Sequence, residues 1–167
     1  LALLGVVGYT LHGFPVSKEA LAVGLGIYLL LLWRFPWLWL IVIPTLLPVL
    51  DLTPSSGRIF FGEFDLLVLT TCAAGFLRKD PWLSPLDFSR GSWLLIGLLF
   101  LWQGYTTLNG LLPLQQIDGN AFTSYYSHYN SLRLAKGFFW ALLLLPLLGQ
   151  AIGRGESVAR LFIIGML

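Results

Sequence analysis

Between residues 109 and 146 the chain reads NGLLPLQQIDGNAFTSYYSHYNSLRLAKGFFWALLLLP, and Asp118, Asn120, Tyr125, Tyr126, His128, Tyr129, Asn130, Arg133 and Lys136 fall close together within it. Such a set can hold a sugar or a diphosphate. Aromatic faces stack on sugar rings, while guanidinium and ammonium groups pair with phosphate oxygens. Arg133, Lys136, His128 and Tyr125 are the candidate substrate-binding residues. The same stretch also suits a plainer role, because tyrosines anchor at membrane interfaces and Asn130 or Ser131 can cap a helix. Arg133 and Lys136 fit that role less well. A cation at a helix N-terminus opposes the macrodipole, and a lysine facing the centre of a bilayer costs about 2.5 to 3.5 kcal/mol. The Lys136 ammonium is therefore expected to snorkel outward or to pair with an anion.

A second concentration of charge lies in DLTPSSGRIFFGEFDLL, residues 51 to 67, with Asp51, Arg58, Glu63 and Asp65. It reads either as part of a pocket or as a capped hairpin at a membrane interface. In the hairpin reading Asp51 closes one helix, Pro54, Ser55, Ser56 and Gly57 make the turn, and Glu63 and Asp65 open the next helix. Acidic side chains there gain about 0.3 to 1 kcal/mol each from the unpaired N–H groups and the macrodipole.

Other chemistries lack their residues. His12 and His128 sit in no H-x-x-x-H or H-E-x-x-H pattern, so no metal is expected. Phosphate-loop, G-x-S-x-G and G-x-G-x-x-G motifs are absent from the sequence, which argues against nucleotide binding and soluble-hydrolase chemistry, and no cofactor is expected. The lone Cys72 lies in an apolar run, where it reads as a small buried residue.

The elements that must position these residues follow from composition. Of 167 residues 57% are hydrophobic and 11% charged, with 12 Phe, 7 Trp and a mean hydropathy of +0.81. A water-soluble domain of this size could not hide so much apolar surface. Apolar runs occur at about 1 to 14, 19 to 33, 36 to 50, 64 to 77, 92 to 108, 134 to 150 and from 157 onward. They are too long and too little alternating for strands. The expected fold is all-α: a polytopic transmembrane bundle of about six to seven spans, forming one domain over residues 1 to 167. The chain starts at Leu1 with a span under way and ends in the apolar run ARLFIIGML, so it reads as a fragment of a longer protein continuing past residue 167. Pro36 suits the first turn of a helix, Pro44 and Pro48 are expected to kink the third run, and Ala22-x-x-x-Gly26 and Gly137-x-x-x-Ala141 have the spacing of close helix contacts.

Alternate loops divide the basic residues into Arg34, Arg78, Lys79, Arg90, Arg154 and Arg160 on one side, and Lys18, Arg58, Arg133 and Lys136 on the other. The larger set is expected in the cytoplasm. The loops holding residues 51 to 65 and 109 to 133 then face outward.

Residues 47 to 69, LPVLDLTPSSGRIFFGEFDLLVL, and 124 to 146, SYYSHYNSLRLAKGFFWALLLLP, resemble the N-terminal membrane half of bacterial O-antigen ligase and polymerase-like proteins, including those of exopolysaccharide clusters. The resemblance covers roughly a quarter of the chain. It implies a multi-pass protein of the bacterial inner membrane, with the lipid bilayer, a glycan on undecaprenyl diphosphate and other polysaccharide-assembly proteins as partners, and no nucleic acid. The activity implied is polymerisation or ligation of that glycan at the periplasmic face. The family's best-known Arg and His residues belong to a later periplasmic loop, so no catalytic residue is transferred to this chain. A transporter or flippase subunit, and a non-catalytic anchor or sensory module, are the rival readings.

The loop charges generate a direct test of orientation. In a Cys72→Ala background, cysteines placed at Ser56 and Ser127 should react with a membrane-impermeant thiol reagent in intact cells, and one at Ser84 should not. Labelling at Ser84 alone would reverse the topology.

Overall fold

The computed structural model describes residues 1 to 15, 17 to 50, 60 to 78, 89 to 114, 116 to 118, 121, 122, 124 and 126 to 167. Asp51, Pro54 to Gly57, Arg58, Asn120 and Tyr125 lie outside the described residues, and with them the turn expected near residue 55. Among the described residues there are seven helices and no strand: α1 Ala2–His12, α2 Lys18–Arg34, α3 Trp39–Leu46, α4 Glu63–Leu77, α5 Arg90–Leu111, α6 Asn130–Gly153 and α7 Val158–Met166. Each apolar run of the sequence is thus a helix. Two of them, α5 with 22 residues and α6 with 24, are long and apolar enough to cross a membrane. At about 1.5 Å per residue, the 17 residues of α2 and the 15 of α4 reach only about 26 and 23 Å against a hydrocarbon core of about 30 Å. The helices α1, α3 and α7 are shorter still.

Proline and glycine account for several boundaries. Pro36 stands in the turn before α3 rather than in its first helical turn. Pro44 lies inside α3, and the helix ends at Leu46, two residues before Pro48. At the other end of the chain, α6 closes with two backbone bonds: the Gly155 N–H donates to the Ile152 carbonyl (2.9 Å) and the Glu156 N–H to the Ala151 carbonyl (3.1 Å). This Schellman arrangement requires a left-handed residue, and Gly155 supplies it with φ of 73°.

The chain forms two compact units. The first contains α1 to α4, α6 from Leu143 onward, and α7; the second contains Phe60, α5, the connection that follows it, and α6 up to Leu142. The division falls inside α6 one turn before Pro146, which has no N–H to offer the Leu142 carbonyl.

In the first unit α4 is the core. Leu66 to Ala74 are buried without interruption, and α1, α2 and α3 all pack on this helix. Its hydroxyls are satisfied locally. Thr70 and Thr71 donate to the carbonyls of Leu66 (2.7 Å) and Leu67 (2.9 Å), and the Tyr28 hydroxyl of α2 lies 2.9 Å from Thr71 Oγ1. The expected acidic start of this helix is present. Glu63 is its first residue, and the Asp65 carboxylate accepts the Gly62 N–H at 2.7 Å. Both acids are buried, which gives the contact with the helix N-terminus less competition from water.

The glycine spacings picked out in the sequence do not make the close contacts. Nothing lies within 4 Å of a Cβ built at Gly26 or Gly137. The tight approaches are at other glycines. A Cβ on Gly75 of α4 would lie 1.7 Å from Leu147 Cδ2, and one on Gly165 of α7 would lie 2.4 Å from the Ile41 carbonyl oxygen of α3. Short x-x-x spacings recur by chance in apolar helices, whereas a close contact depends on which face meets a neighbour. The Thr45 hydroxyl donates to the Gly165 carbonyl at 2.8 Å and fixes the same α3–α7 crossing.

Gly165→Ala should therefore cost about 1 to 3 kcal/mol, since backbone rather than a side-chain tip blocks the new methyl group. Gly97→Ala on α5, where the space is open, should be neutral or stabilise by up to about 1 kcal/mol. Thermal unfolding of the purified protein in detergent checks both, and equal midpoints for the two variants would contradict the close crossing.

Candidate functional site

The second unit carries the residues first singled out for chemistry. Its helices meet tightly where α5 ends and α6 begins: a Cβ on Gly110 would lie 2.6 Å from Ser131 Cβ. The start of α6 is held by hydroxyls. Ser127 Oγ accepts the Tyr129 N–H at 3.2 Å, and the Ser131 hydroxyl donates to the His128 carbonyl at 2.8 Å. Asn130 is the first helical residue.

Away from that junction, α5 and α6 border an apolar cavity of about 500 Å³. Phe100, Leu108 and Leu111 form one wall, Leu132, Phe138 and Trp140 the other, and Phe60 contributes from outside the pair. The volume is that of a small-molecule pocket, but the polar lining is confined to Gln103, Thr107 and Lys136. Gln103 Nε2 donates to Thr107 Oγ1 at 3.3 Å, and the Thr107 hydroxyl donates to the Gln103 carbonyl at 2.7 Å. That pairing leaves the α5 wall with little appetite for a polar ligand.

Lys136 is the charged group of the cavity. Its ammonium donates to the Phe60 carbonyl and stands 5.3 Å from the centroid of the Phe60 ring. A backbone dipole and a ring quadrupole thus share the cation. Phe60 is held in turn by an aromatic chain. Its ring meets Phe122 edge-on at 5.3 Å, and Phe122 meets the buried Tyr129 at 5.5 Å. A carbonyl oxygen and an aromatic face thus stand beside the ammonium. The dipole argument also changes. Lys136 is the seventh residue of α6, beyond the first turn where the field is felt, whereas Arg133 is the fourth.

Of the three described candidate residues, one borders the cavity. Lys136 lines the cavity; Arg133 and His128 are half-buried and are not among its lining residues; Tyr125 lies outside the described residues. Among the described residues no described group pairs with Arg133, and no cluster of three or more His, Cys, Asp or Glu could hold a metal ion. The sequence reading passed over Gln103 and Thr107. Their signal was two polar residues four apart, hence on one face, in the otherwise apolar α5. No nucleophile and base stand together here; what the arrangement can do is hold an apolar chain beside a fixed positive charge.

No protein-family model, curated protein or solved structure matches this chain.

Gly104 faces the cavity with nothing within 4 Å of a Cβ built there. Gly104→Leu should therefore accumulate and unfold like the wild type while filling the space. In nanodiscs containing a lipid with a diazirine on its acyl chain, photolabelling at Thr107 and Leu111 should fall in this variant, and labelling at the exposed Leu101 should persist. Unchanged labelling at all three would mean that the cavity takes no chain.

Proposed function

We propose that this protein is a multi-pass protein of the bacterial inner membrane, with six to seven spans, that binds a lipid-linked glycan at the periplasmic face as part of a polymerase or ligase. The observation that carries the reading is the apolar cavity with the Lys136 ammonium fixed in its wall. An amphiphile made of a long apolar tail and a phosphorylated head has both complements. The tail fits the α5–α6 space, and its phosphate meets a cation whose position is already set by Phe60. The exposed apolar surface of α5, which has no buried residue, supports a lipid environment. The identity of the amphiphile as a glycan carrier rests on the resemblance of residues 47 to 69 and 124 to 146. Helices shorter than the hydrocarbon core are accommodated by their flanking turns and by local thinning of the bilayer.

The cavity orders the effects of substitution. Lys136→Ala should weaken use of the lipid-linked substrate about tenfold or more, the scale of one hydrogen bond to a charged group. Arg133→Lys should do less, because Arg133 does not line the cavity. The measurement is glycan chain assembly by the full chain in a strain lacking the native copy, normalised to membrane-inserted protein. Full activity in an Arg133→Ala, Lys136→Ala double variant would remove this site from the mechanism.

A further inference from the structure

A second, much smaller void lies in the first unit, with a volume of about 20 Å³. Leu32 of α2, Trp39 of α3, Thr71 of α4 and Gln150 of α6 all border it, so four helices meet there. Two polar groups of these residues lack full partners. Gln150 is 3% exposed, and its amide Nε2 donates to nothing among the described residues. The Leu32 carbonyl stands in the last turn of α2, where its helical partner would be the N–H of residue 36. That residue is Pro36, which has no N–H. Among the described residues the carbonyl is reached by Arg78 Nη1 at 3.4 Å, beyond the usual range of about 2.7 to 3.2 Å. Buried polar groups left in this condition are costly for a fold to keep.

A free donor and an under-used acceptor on one void require a ligand that can both accept and donate. Water does both, whereas an ammonium group only donates and a carboxylate only accepts. Size agrees. A space of about 20 Å³ holds one water, which needs about 10 to 15 Å³, and nothing larger. Voids that stay dry are apolar, and this one is bordered by polar groups. Thr71 supplies a third partner. Its hydroxyl proton goes to the Leu67 carbonyl, so the Tyr28 hydroxyl donates to Thr71 Oγ1, and one of the two lone pairs there remains. Three partners are the usual complement of a buried water. Arg154 also borders the void, but it is ion-paired with Glu156 at 2.8 Å, and a neutral ligand needs no charge from it. Glu156 Oε2, the other buried atom without a partner among the described residues, belongs to a residue that does not border the void.

We infer that this void is the binding site of one structural water, which accepts from Gln150 Nε2 and donates to the Leu32 carbonyl and to Thr71 Oγ1, joining α2, α4 and α6. The water does for Leu32 what an N–H at residue 36 would do in an unbroken helix. Ordered water is one of the means by which helices in a bilayer satisfy backbone groups freed by proline. The bridge also gives residues 143 to 153 of α6 a polar attachment to the first unit, beside the close packing of Leu147 on Gly75. The site is separate from the α5–α6 cavity and does not depend on the glycan reading.

The test is radiolytic hydroxyl-radical footprinting of the detergent-purified full chain, in which a bound water oxidises the side chains next to it. Trp39 borders the void and is only 6% exposed, so bulk solvent contributes little and oxidation there should report the bound water. Cys72 is a readily oxidised side chain, but it is fully buried away from the void and should stay unmodified. On rapid mixing into heavy-oxygen water, the oxygen added to Trp39 should carry the new isotope later than the oxygen added to Tyr126, which is 96% exposed. In Gln150→Leu, which removes the donor and nearly keeps the volume, oxidation of Trp39 should fall about fivefold, the scale of one neutral hydrogen bond. The wild-type measurements decide the matter even if that variant does not fold. An unmodified Trp39, oxidation of Cys72 to the same extent, isotope uptake as fast as at Tyr126, or wild-type oxidation in folded Gln150→Leu would each overturn the proposal.

Discussion

Burial of α4 on every side is the constraint from which the first unit follows. A helix with no exposed face from Leu66 to Ala74 can contain only side chains that need nothing from water, or that satisfy themselves. Thr70 and Thr71 meet the second condition by bonding back to their own helix, and Tyr28 then finds its partner in Thr71. The same constraint explains the sharp start of the helix. Its free N–H groups need acceptors at a buried end, and Asp65 supplies one by accepting from Gly62. It also explains Gly75, because a helix enclosed by neighbours must let at least one of them come close, and there Leu147 fills the space where a side chain would stand.

The cations obey a related rule. In surroundings this apolar, a positive group is tolerated where an oxygen or a ring face stands beside it. Lys136 has the Phe60 carbonyl and ring, Arg78 the Leu32 carbonyl, and Arg154 the Glu156 carboxylate. Carbonyls serve in two of these three cases. The Arg154–Glu156 pair is different, because it neutralises charge and braces the turn that Gly155 allows after α6.

The buried polar atoms also bear on the rival reading of the chain as a transporter. Such a protein needs unpaired polar groups at broken helices near mid-membrane. Helix α3 runs on through Pro44, the adjacent Thr45 hydroxyl bonds to the Ile41 and Gly165 carbonyls, and the hydroxyls of α4 bond to backbone carbonyls. Among the described residues the buried polar atoms without a partner, Gln150 Nε2 and Glu156 Oε2, lie instead around the end of α6.

The sequence by itself determined the helices. Apolar runs of this length, without alternation and broken by Pro, Gly and charge, can satisfy their backbone only as helices, and all seven runs are helical. It also located the acidic start of α4 and the unusual lysine of α6. What it left open was which faces meet. In an aqueous protein the period of polar residues marks the outer face, but α4 and α5 are both apolar all round, so no period separates a helix wrapped by protein from one facing lipid. Only the tertiary structure made α4 the buried core and left α5 with no buried residue. The same reason governs the sites. Phe60 reaches Lys136 across 76 positions of sequence, and Gln150 meets Arg78 across a void, because packing rather than spacing brought them together.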